Sequence, residues 1–214
     1  MKSLRIKTFA PHLMVGSLLL LGSASSLAAQ EDETHGEGAF HPVDIVSVAT
    51  GDFDRNGSQD AALLVLPGNG AAFGPDLHIL LKGYDQDQPP GKLSPALSVP
   101  NAAIGTAPLF AGQVPALEAL PDGSLQILSL NTGIGRAAWE QRVTLASGGD
   151  RFHVTRFQYN SYDKLQEEPS VDCELDLSAG KGVLDGKAIS FEARRTPFED
   201  WDDQTAYGLC GIGG

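Results

Sequence analysis

The apolar residues of this chain are grouped in short runs, and this grouping is the feature that most restricts its fold. Aliphatic and β-branched side chains dominate the runs, and Gly, Pro, Asn and Asp residues bound them. Such runs are typical of β-strands, and no window has apolar residues at a helical spacing. The runs are DIVSVAT (44–50), AALLVL (61–66), DLHILLKG (76–83), SLQILSL (124–130), WEQRVTL (139–145), RFHVTRFQY (151–159), CELDL (173–177) and KAISFEA (187–193). The sequence therefore predicts an all-β fold.

The segments between these runs contain recognisable turn sequences. Residues 147–150, SGGD, predict a hairpin turn between two of the runs. Pro121-Asp122-Gly123 and Asp185-Gly186 predict further turns. Residues 83–115 are dense in Pro, Gly and Asp, and we expect them to form a long connection without strands.

Residues 1–29 have the layout of a secretory signal peptide. Basic residues come first, the apolar run Leu13–Leu21 follows, and small residues lead to Ala28 and Ala29, where cleavage is expected. The apolar run is much shorter than the roughly 20 residues that a transmembrane helix needs, and no later segment is long enough to span. We therefore expect a periplasmic or secreted protein with no membrane insertion after signal cleavage.

The segment that follows the signal peptide is strongly acidic. Residues 30–42 contain little that a core would bury, which predicts a disordered acidic leader, and 43–214 then form a single all-β domain. All charges of the signal segment are positive (Lys2, Arg5 and Lys7), so its removal changes the formal net charge from −12 to −15. A charge of this sign makes nucleic acid a poor partner and favours cations and basic proteins.

The two cysteines are Cys173 and Cys210. In an oxidising compartment an even pair is most simply one disulfide. The alternating CELDL run places Cys173 on the inward face of its strand together with Leu175 and Leu177. A metal half-site made of two thiolates is the alternative, but neither cysteine has a His or a further Cys near it in sequence.

Residues 51–60, GDFDRNGSQD, form an acidic loop between two predicted strands. Counted from Asp52, its oxygen-bearing residues occupy positions 1, 3, 5, 7 and 9, and Gly57 is at position 6. This is the ligand spacing of an EF-hand-type Ca²⁺ loop, and it predicts a metal site made of Asp52, Asp54, Asn56, Ser58 and Asp60. Position 12 is Leu63, so the bidentate acid of an EF-hand is missing. The alternative is a solvated hairpin in which the same residues form Asx turns.

The segment 44–83 resembles the calcium loops of FG-GAP/VCBS-type repeats, which are blades of β-propellers. The resemblance rests on a strand, then Gly-Asp-Phe-Asp-x-Asn-Gly-x-x-Asp, then an apolar strand and the later LHILLKG. It implies a Ca²⁺ ion bound by Asp52, Asp54, Asn56, the carbonyl of Ser58 and Asp60. The chain has one such loop, and Phe73-Gly74 follows the loop where the family's Phe-Gly precedes it. We therefore expect blade-like antiparallel sheets, arranged as an incomplete propeller or as a β-sandwich.

Two further groups of residues are candidates for binding. Residues 197–205, PFEDWDDQT, place four acids around Trp201, which predicts either a second cation site or solvated acids beside a packed Trp201. The aromatic residues Phe152, Phe157, Tyr159 and Tyr162 either line a glycan-binding surface or pack in the core. In a regular strand Phe157 and Tyr159 lie on the face opposite Phe152 and Val154, so one of these faces is expected to be exposed.

The sequence contains no catalytic motif, and we assign no catalytic residue. The reading it favours is an exported Ca²⁺-binding β-domain with a non-catalytic role, in which it binds a protein or glycan partner in the cell envelope. One alternative is a small periplasmic hydrolase that uses paired carboxylates, which requires two acids in one cleft. Another is an acidic inhibitor of a basic enzyme such as lysozyme, which requires a protruding acidic loop. The oligomeric state is not predicted.

Overall fold

The computed structural model describes residues 44–67, 74–83, 89, 91–105, 113–133, 135–166 and 169–212. The predicted signal peptide and acidic leader lie outside these residues. Those that are described belong to one compact unit, which begins at Ala39. None of their helices is long and apolar enough to cross a bilayer.

The strands form two antiparallel sheets. The first is a four-stranded meander in the order β1-β2-β3-β4. Its members are β1 (Ile45–Gly51), β2 (Asp60–Val65), β3 (Asp76–Lys82) and β4 (Leu93–Val99). The second sheet has the order β11-β10-β9-β8-β7-β6-β5, and β12 pairs with β8. Its members are β5 (Ala116–Ala119), β6 (Leu125–Asn131), β7 (Ala137–Ser147), β8 (Phe152–Asp163), β9 (Pro169–Asp176), β10 (Lys181–Leu184), β11 (Lys187–Ser190) and β12 (Thr196–Pro197). The predicted all-β class is confirmed.

One strand lies where a long connection without strands was predicted, so that prediction is wrong in part. Strand β4 falls inside residues 83–115 and pairs with β3 only, at the edge of its sheet. Its Pro95 sits where the pairing register slips, opposite Leu80. Proline is tolerated at such edge and bulge positions, because no backbone N–H is needed there. The short strand β5 follows directly after this segment and was not predicted.

A β-bulge in the β7–β8 hairpin corrects the prediction about the aromatic residues. Leu145 pairs with Val154 and Thr144 pairs with Arg156, so Thr155 has no direct partner on β7. The extra residue returns the following side chains to the face that Val154 occupies. Phe157 is consequently fully buried, in the same core as Phe152 and Val154. Tyr159 packs against this core as well, so the predicted alternation into two opposite faces is wrong.

One hydrophobic core contains residues of both sheets. Its fully buried members pack around the inward faces of β2 and β3 in the first sheet and of β6, β7 and β8 in the second. The largest of them are Phe53, Leu64, Leu77, Ile79, Leu125, Ile127, Leu145, Val154, Phe157 and Leu177. The sheets also share a polar contact, because the backbone N–H of Leu117 in β5 donates to Ser47 Oγ in β1 over 2.9 Å. The acidic loop is therefore attached to a core that both sheets build.

The chain ends in a short helix that the sequence analysis missed. After a turn of 3-10 helix at Phe198–Asp200, α1 covers Asp203–Leu209, and Asp202 caps it by accepting from the N–H of Gln204. At its C-terminus Gly211 has φ of +67°, Gly211 N–H donates to Gly208 C=O, and Ile212 N–H donates to Tyr207 C=O. This is a Schellman motif, in which a left-handed glycine satisfies the last carbonyls of a helix.

The predicted disulfide between Cys173 and Cys210 is confirmed. It joins β9 to the residue that ends α1, over a Cα–Cα distance of 5.7 Å, and both cysteines are buried. A cross-link that closes a loop of this length stabilises a fold by about 3–4 kcal/mol. The helix is thereby fixed to the second sheet.

Candidate metal centre

The acidic loop closes the β1–β2 hairpin. Gly51 at the end of β1 pairs with Asp60 at the start of β2, so the ends of the loop are held together by the sheet. Two residues inside it have left-handed backbones, Arg55 with φ of +63° and Gly57 with φ of +84°. Gly57 adopts this conformation without a steric cost, which explains the glycine at the tight point of the loop. The flanking strands place the loop as the sequence predicted.

Three carboxylates of the loop converge. Asp52, Asp54 and Asp60 each offer an oxygen, and these oxygens all lie within 4.8 Å of one another. Within the described ranges, no other set of three acidic, His or Cys side chains meets this criterion. The spacing predicted from the sequence thus brings together three of the five expected ligand residues.

Asp60 is the buried member of this group. Only 1% of its surface is exposed, and its two oxygens accept from different backbone amides. Oδ2 accepts from Phe53 N–H over 2.8 Å, and Oδ1 accepts from Lys82 N–H over 2.9 Å. Asp60 therefore fastens both the start of the loop and the end of β3, a link across 22 residues that the sequence pattern did not reveal.

Asp52 has one oxygen with a partner and one without. Oδ2 accepts from Gly57 N–H over 2.9 Å, whereas Oδ1 is buried and has no hydrogen-bond donor. A buried oxygen that carries charge and has no partner is costly, because it has lost its water without replacement. Asp52 Oδ1 is therefore a buried carboxylate oxygen of this group that lacks a hydrogen-bond partner.

Asp54 is the member whose titration is shifted. Burial raises the pKa of its carboxyl above 3.8, and the negative charges of Asp60 and Asp52 raise it further. A hydrogen bond from Asn56 N–H to Asp54 Oδ1, 3.0 Å long, acts in the opposite direction. The charges of Asp60 and Asp52 thus add to the effect of burial, which is the largest cause of the shift.

Asn56 and Ser58 are placed differently from the predicted ligand set. The amide nitrogen of Asn56 donates to Asp54 Oδ2 and to the carbonyl of Lys82, both over 2.9 Å. Its oxygen Oδ1 accepts from Ser58 N–H over 2.7 Å, which is the Asx turn that the sequence analysis named as the alternative. The two readings coexist here, since the loop contains both an Asx turn and a convergent carboxylate group.

The loop also reaches the second sheet. Arg55 donates to the carbonyl of Asp122 in the β5–β6 turn over 3.0 Å. In the same turn, a side chain at Gly123 would place its Cβ 2.9 Å from the backbone oxygen of Asp52, so only glycine fits. The acidic loop and the β5–β6 turn are thus packed directly against each other. Within that turn, hydrogen bonds from the Ser124 hydroxyl and N–H hold the pKa of Asp122 below its usual value.

Three of the acids around Trp201 (Glu199, Asp202 and Asp203) line a cavity of about 490 Å³, which is separate from the acidic loop. Its wall includes Val99–Ile104 on one side and Gln141, Trp201, Asp203 and Tyr207 on the other. Asp203 accepts from Trp201 Nε1 over 2.6 Å and from Gln141 Nε2 over 2.9 Å, and the Tyr207 hydroxyl donates to Gln141 Oε1 over 2.5 Å. Burial, and secondarily the charge of Asp203, raises the pKa of Tyr207. Sequence reasoning missed Gln141 and Tyr207, because no motif links them.

The other acids of this segment each have a partner. Glu199 and Asp200 form ion pairs with Arg151, and Asp202 caps α1. The four acids of 199–203 are therefore engaged in separate structural contacts. They do not form a convergent group like the one in the acidic loop.

The chain matches no model of a known protein family, no curated protein and no solved structure. The resemblance of residues 44–83 to FG-GAP/VCBS-type repeats thus stays a prediction that rests on the residues of the acidic loop and its flanking strands.

Proposed function

We propose that the acidic loop binds one Ca²⁺ ion and that this ion is structural. The observation that carries the proposal is the convergence of oxygens of Asp52, Asp54 and Asp60 within 4.8 Å of one another. It is supported by the buried Oδ1 of Asp52, which has no donor. A cation between the three carboxylates would give this oxygen its missing partner and would replace the mutual repulsion by attraction. Oxygen donors alone form the group, which suits a hard cation such as Ca²⁺.

The proposed ligands are the carboxylates of Asp52, Asp54 and Asp60, with Asn56 and the carbonyl of Ser58. For Asn56 to bind through oxygen where Nδ2 now meets Asp54 and the Lys82 carbonyl, its side-chain amide must turn over. The Asx turn, in which Oδ1 accepts from Ser58 N–H, would then be lost on Ca²⁺ binding. The Lys82 carbonyl then loses its donor and becomes a further candidate ligand. Ca²⁺ takes six to eight oxygens, so this set and a few waters would complete its shell.

The proposed ion would stabilise one conformation of the loop and would not trigger a conformational change. It would fix a loop that already contacts the end of β3 through Asp60 and the β5–β6 turn through Arg55. The flanking elements are paired strands, so there is no helix pair for the ion to open. Since Leu63 stands where an EF-hand has its bidentate acid, we expect a dissociation constant in the range of extracellular modules, about 10⁻⁴–10⁻³ M or somewhat tighter.

The wider role that we propose is non-catalytic binding of a protein or glycan partner by an exported protein of the cell envelope. The signal-peptide layout of residues 1–29, the disulfide and the acidic charge support export and a cationic or basic partner. A meander of four antiparallel strands with a Ca²⁺ loop between the first two is consistent with the blade-like resemblance.

One observation favours the hydrolase alternative. Glu199, Asp202 and Asp203 line the same cavity, together with Trp201 and Tyr207, which meets the requirement for two acids in one cleft. Against this reading, Glu199 is paired with Arg151, Asp202 caps a helix, and both oxygens of Asp203 accept hydrogen bonds. A screen with glycosides, esters, phosphates and peptides decides between the readings: turnover that is lost in Asp203→Asn but kept in Asp150→Asn would favour the hydrolase.

Calorimetric titration of metal-stripped protein with CaCl₂ tests the proposed site. We expect one site per chain, a much weaker response to MgCl₂, and no binding to the Asp54→Ala variant. Asp150→Asn is the matched control, because Asp150 is an exposed acid in the β7–β8 turn and its replacement also removes one charge. Equal loss of binding in both variants, or no saturable heat in the wild type, would overturn the proposal.

A further inference from the structure

A second cavity has the opposite electrostatic character from the rest of the chain. It has a volume of about 160 Å³, and we call it the arginine cavity. Its charged and hydroxyl-bearing lining residues are Arg55, Arg195, His153, Ser147, Thr155 and Ser178. No carboxylate lines it, although the formal net charge of the chain is −12. A cationic cavity in an acidic protein favours anions at this one place.

Within the described part of the chain, the two arginines of the cavity, Arg55 and Arg195, form no ion pair, although the charge of Arg55 acts on the Asp122 carboxylate. Arg55 gives one N–H to the carbonyl of Asp122, which leaves its other donors available. Ser147 Oγ accepts from Gly149 N–H over 3.4 Å and keeps its own O–H. Thr155 is part of the wall only, because its hydroxyl already donates to the carbonyl of Thr144.

The backbone restricts the positions of three lining residues, Arg55, His153 and Arg195. The ring of His153 lies against Gly148, where a Cβ would be 2.6 Å from both Cε1 and Nδ1, so a side chain at residue 148 would displace the ring. Arg55 has a left-handed backbone that is unusual for a residue with a side chain. Arg195 directly precedes β12, whose Pro197 pairs with His153 of β8. Three separate segments thus bring two guanidinium groups and one imidazole to the lining of the same cavity.

We propose that the arginine cavity binds one oxyanion group of the phosphate or sulfate type. Guanidinium groups match the oxygens of such anions by paired hydrogen bonds, and the hydroxyls and the imidazole supply further donors. The volume is below the roughly 300 Å³ of a typical small-molecule pocket, so the group is bound alone or as the charged end of a molecule that extends outside. The cavity shares Arg55 with the acidic loop, but none of the proposed Ca²⁺ ligands lines it.

Titration calorimetry with sodium sulfate and sodium phosphate, at constant ionic strength in NaCl and with EDTA present, tests the proposal. We expect saturable binding, and at least tenfold weaker binding to Arg195→Gln. Arg194→Gln is the matched control, because Arg194 is the adjacent exposed arginine and does not line the cavity. We expect this variant to change the affinity by less than twofold.

A further titration, with a hexose phosphate, distinguishes the sources of the anion. A hexose phosphate that binds as tightly as inorganic phosphate, or tighter, identifies the charged end of a glycan as the ligand, and weaker binding identifies the free ion. No saturable binding of any of these anions, or equal effects of Arg194→Gln and Arg195→Gln, would overturn the proposal and leave solvated surface arginines. Because Arg55 belongs to the acidic loop, the sulfate titration is repeated with CaCl₂ in place of EDTA. Loss of binding in both conditions is failure of the arginine cavity, and the CaCl₂ titration of the wild type measures failure of the metal site separately.

Discussion

The carboxylate of Asp60, the first residue of β2, accepts a hydrogen bond of 2.9 Å from the backbone N–H of Lys82, the last residue of β3. The same carboxylate accepts from Phe53 N–H and belongs to the convergent group of the acidic loop. One buried acid therefore fixes the loop to the sheet and also contributes charge to the proposed metal centre. The loop is positioned by these two backbone hydrogen bonds.

Replacement of Asp60 by Ala is expected to destabilise the protein even without Ca²⁺. It removes the acceptor of two backbone N–H groups in a buried place, and each unsatisfied group costs about 1–3 kcal/mol. We expect urea unfolding in EDTA to show a loss of about 2–6 kcal/mol. Gln59→Ala is the control, because Gln59 is exposed and donates only to Thr50 Oγ1. Equal stability of the two variants would contradict the assigned role of Asp60.

Replacement of Phe157 by Ala tests the bulge at Thr155. Phe157 is fully buried and its ring contacts those of Trp201 and Tyr207, so truncation should cost about 3–5 kcal/mol. Tyr162, in the same strand, is 39% exposed, and Tyr162→Ala should cost much less. Similar unfolding free energies for the two variants would mean that Phe157 lies on an exposed face after all.

Removal of the disulfide should loosen the end of the chain. In the Cys173→Ala/Cys210→Ala variant, α1 keeps its caps but loses its covalent link to β9, so we expect the free energy of unfolding to fall by about 3–4 kcal/mol. Hydrogen exchange should show the largest loss of protection in residues 203–212. An unchanged midpoint of denaturation would show that the bond contributes nothing to stability.

Those features that depend on local pattern could be predicted from the sequence. The Asp185-Gly186 hairpin, the inward Cys173 and the three convergent acids all follow from the identities of neighbouring residues. The helix α1 was predictable as well, since Asp202 is a good N-cap residue and Gly211 a good C-terminal glycine. It was missed because seven residues are too few to show an apolar period.

Features that depend on distant residues could not be predicted. The bulge at Thr155 changes which side chains of β8 share a face, and no residue type in that strand predicts it. The contacts of Asp60 with Lys82 and of Arg55 with Asp122 join positions that only the tertiary fold brings together. The arginine cavity is formed in the same way, by four segments that are remote in sequence.

The pH dependence of stability should change sign with Ca²⁺. In the metal-free protein the pKa of Asp54 is raised, so the folded state holds this proton more tightly than the unfolded state. The stability of the wild type relative to Asp54→Asn should therefore fall as the pH rises from 3.8 through the folded pKa. With saturating Ca²⁺ the ion competes with the proton for the Asp54 carboxylate. The stability of the wild type relative to Asp54→Asn should then rise with pH. Urea unfolding between about pH 3.5 and pH 7, with EDTA and with CaCl₂, measures both slopes, and identical slopes would exclude Asp54 as a ligand.

Thermal unfolding in the presence and absence of Ca²⁺ tests the central claim most directly. A cation that binds only the folded state stabilises it by mass action. The Tm of the wild type should therefore rise with millimolar CaCl₂, and EDTA should return it to its value without Ca²⁺. Asp54→Ala should abolish the rise, and Asp54→Asn should weaken it less, because it keeps an oxygen at this position. Asp150→Asn should leave it intact. A wild-type Tm that does not change across millimolar CaCl₂ would contradict the account, and the acidic loop would then be a turn without a metal.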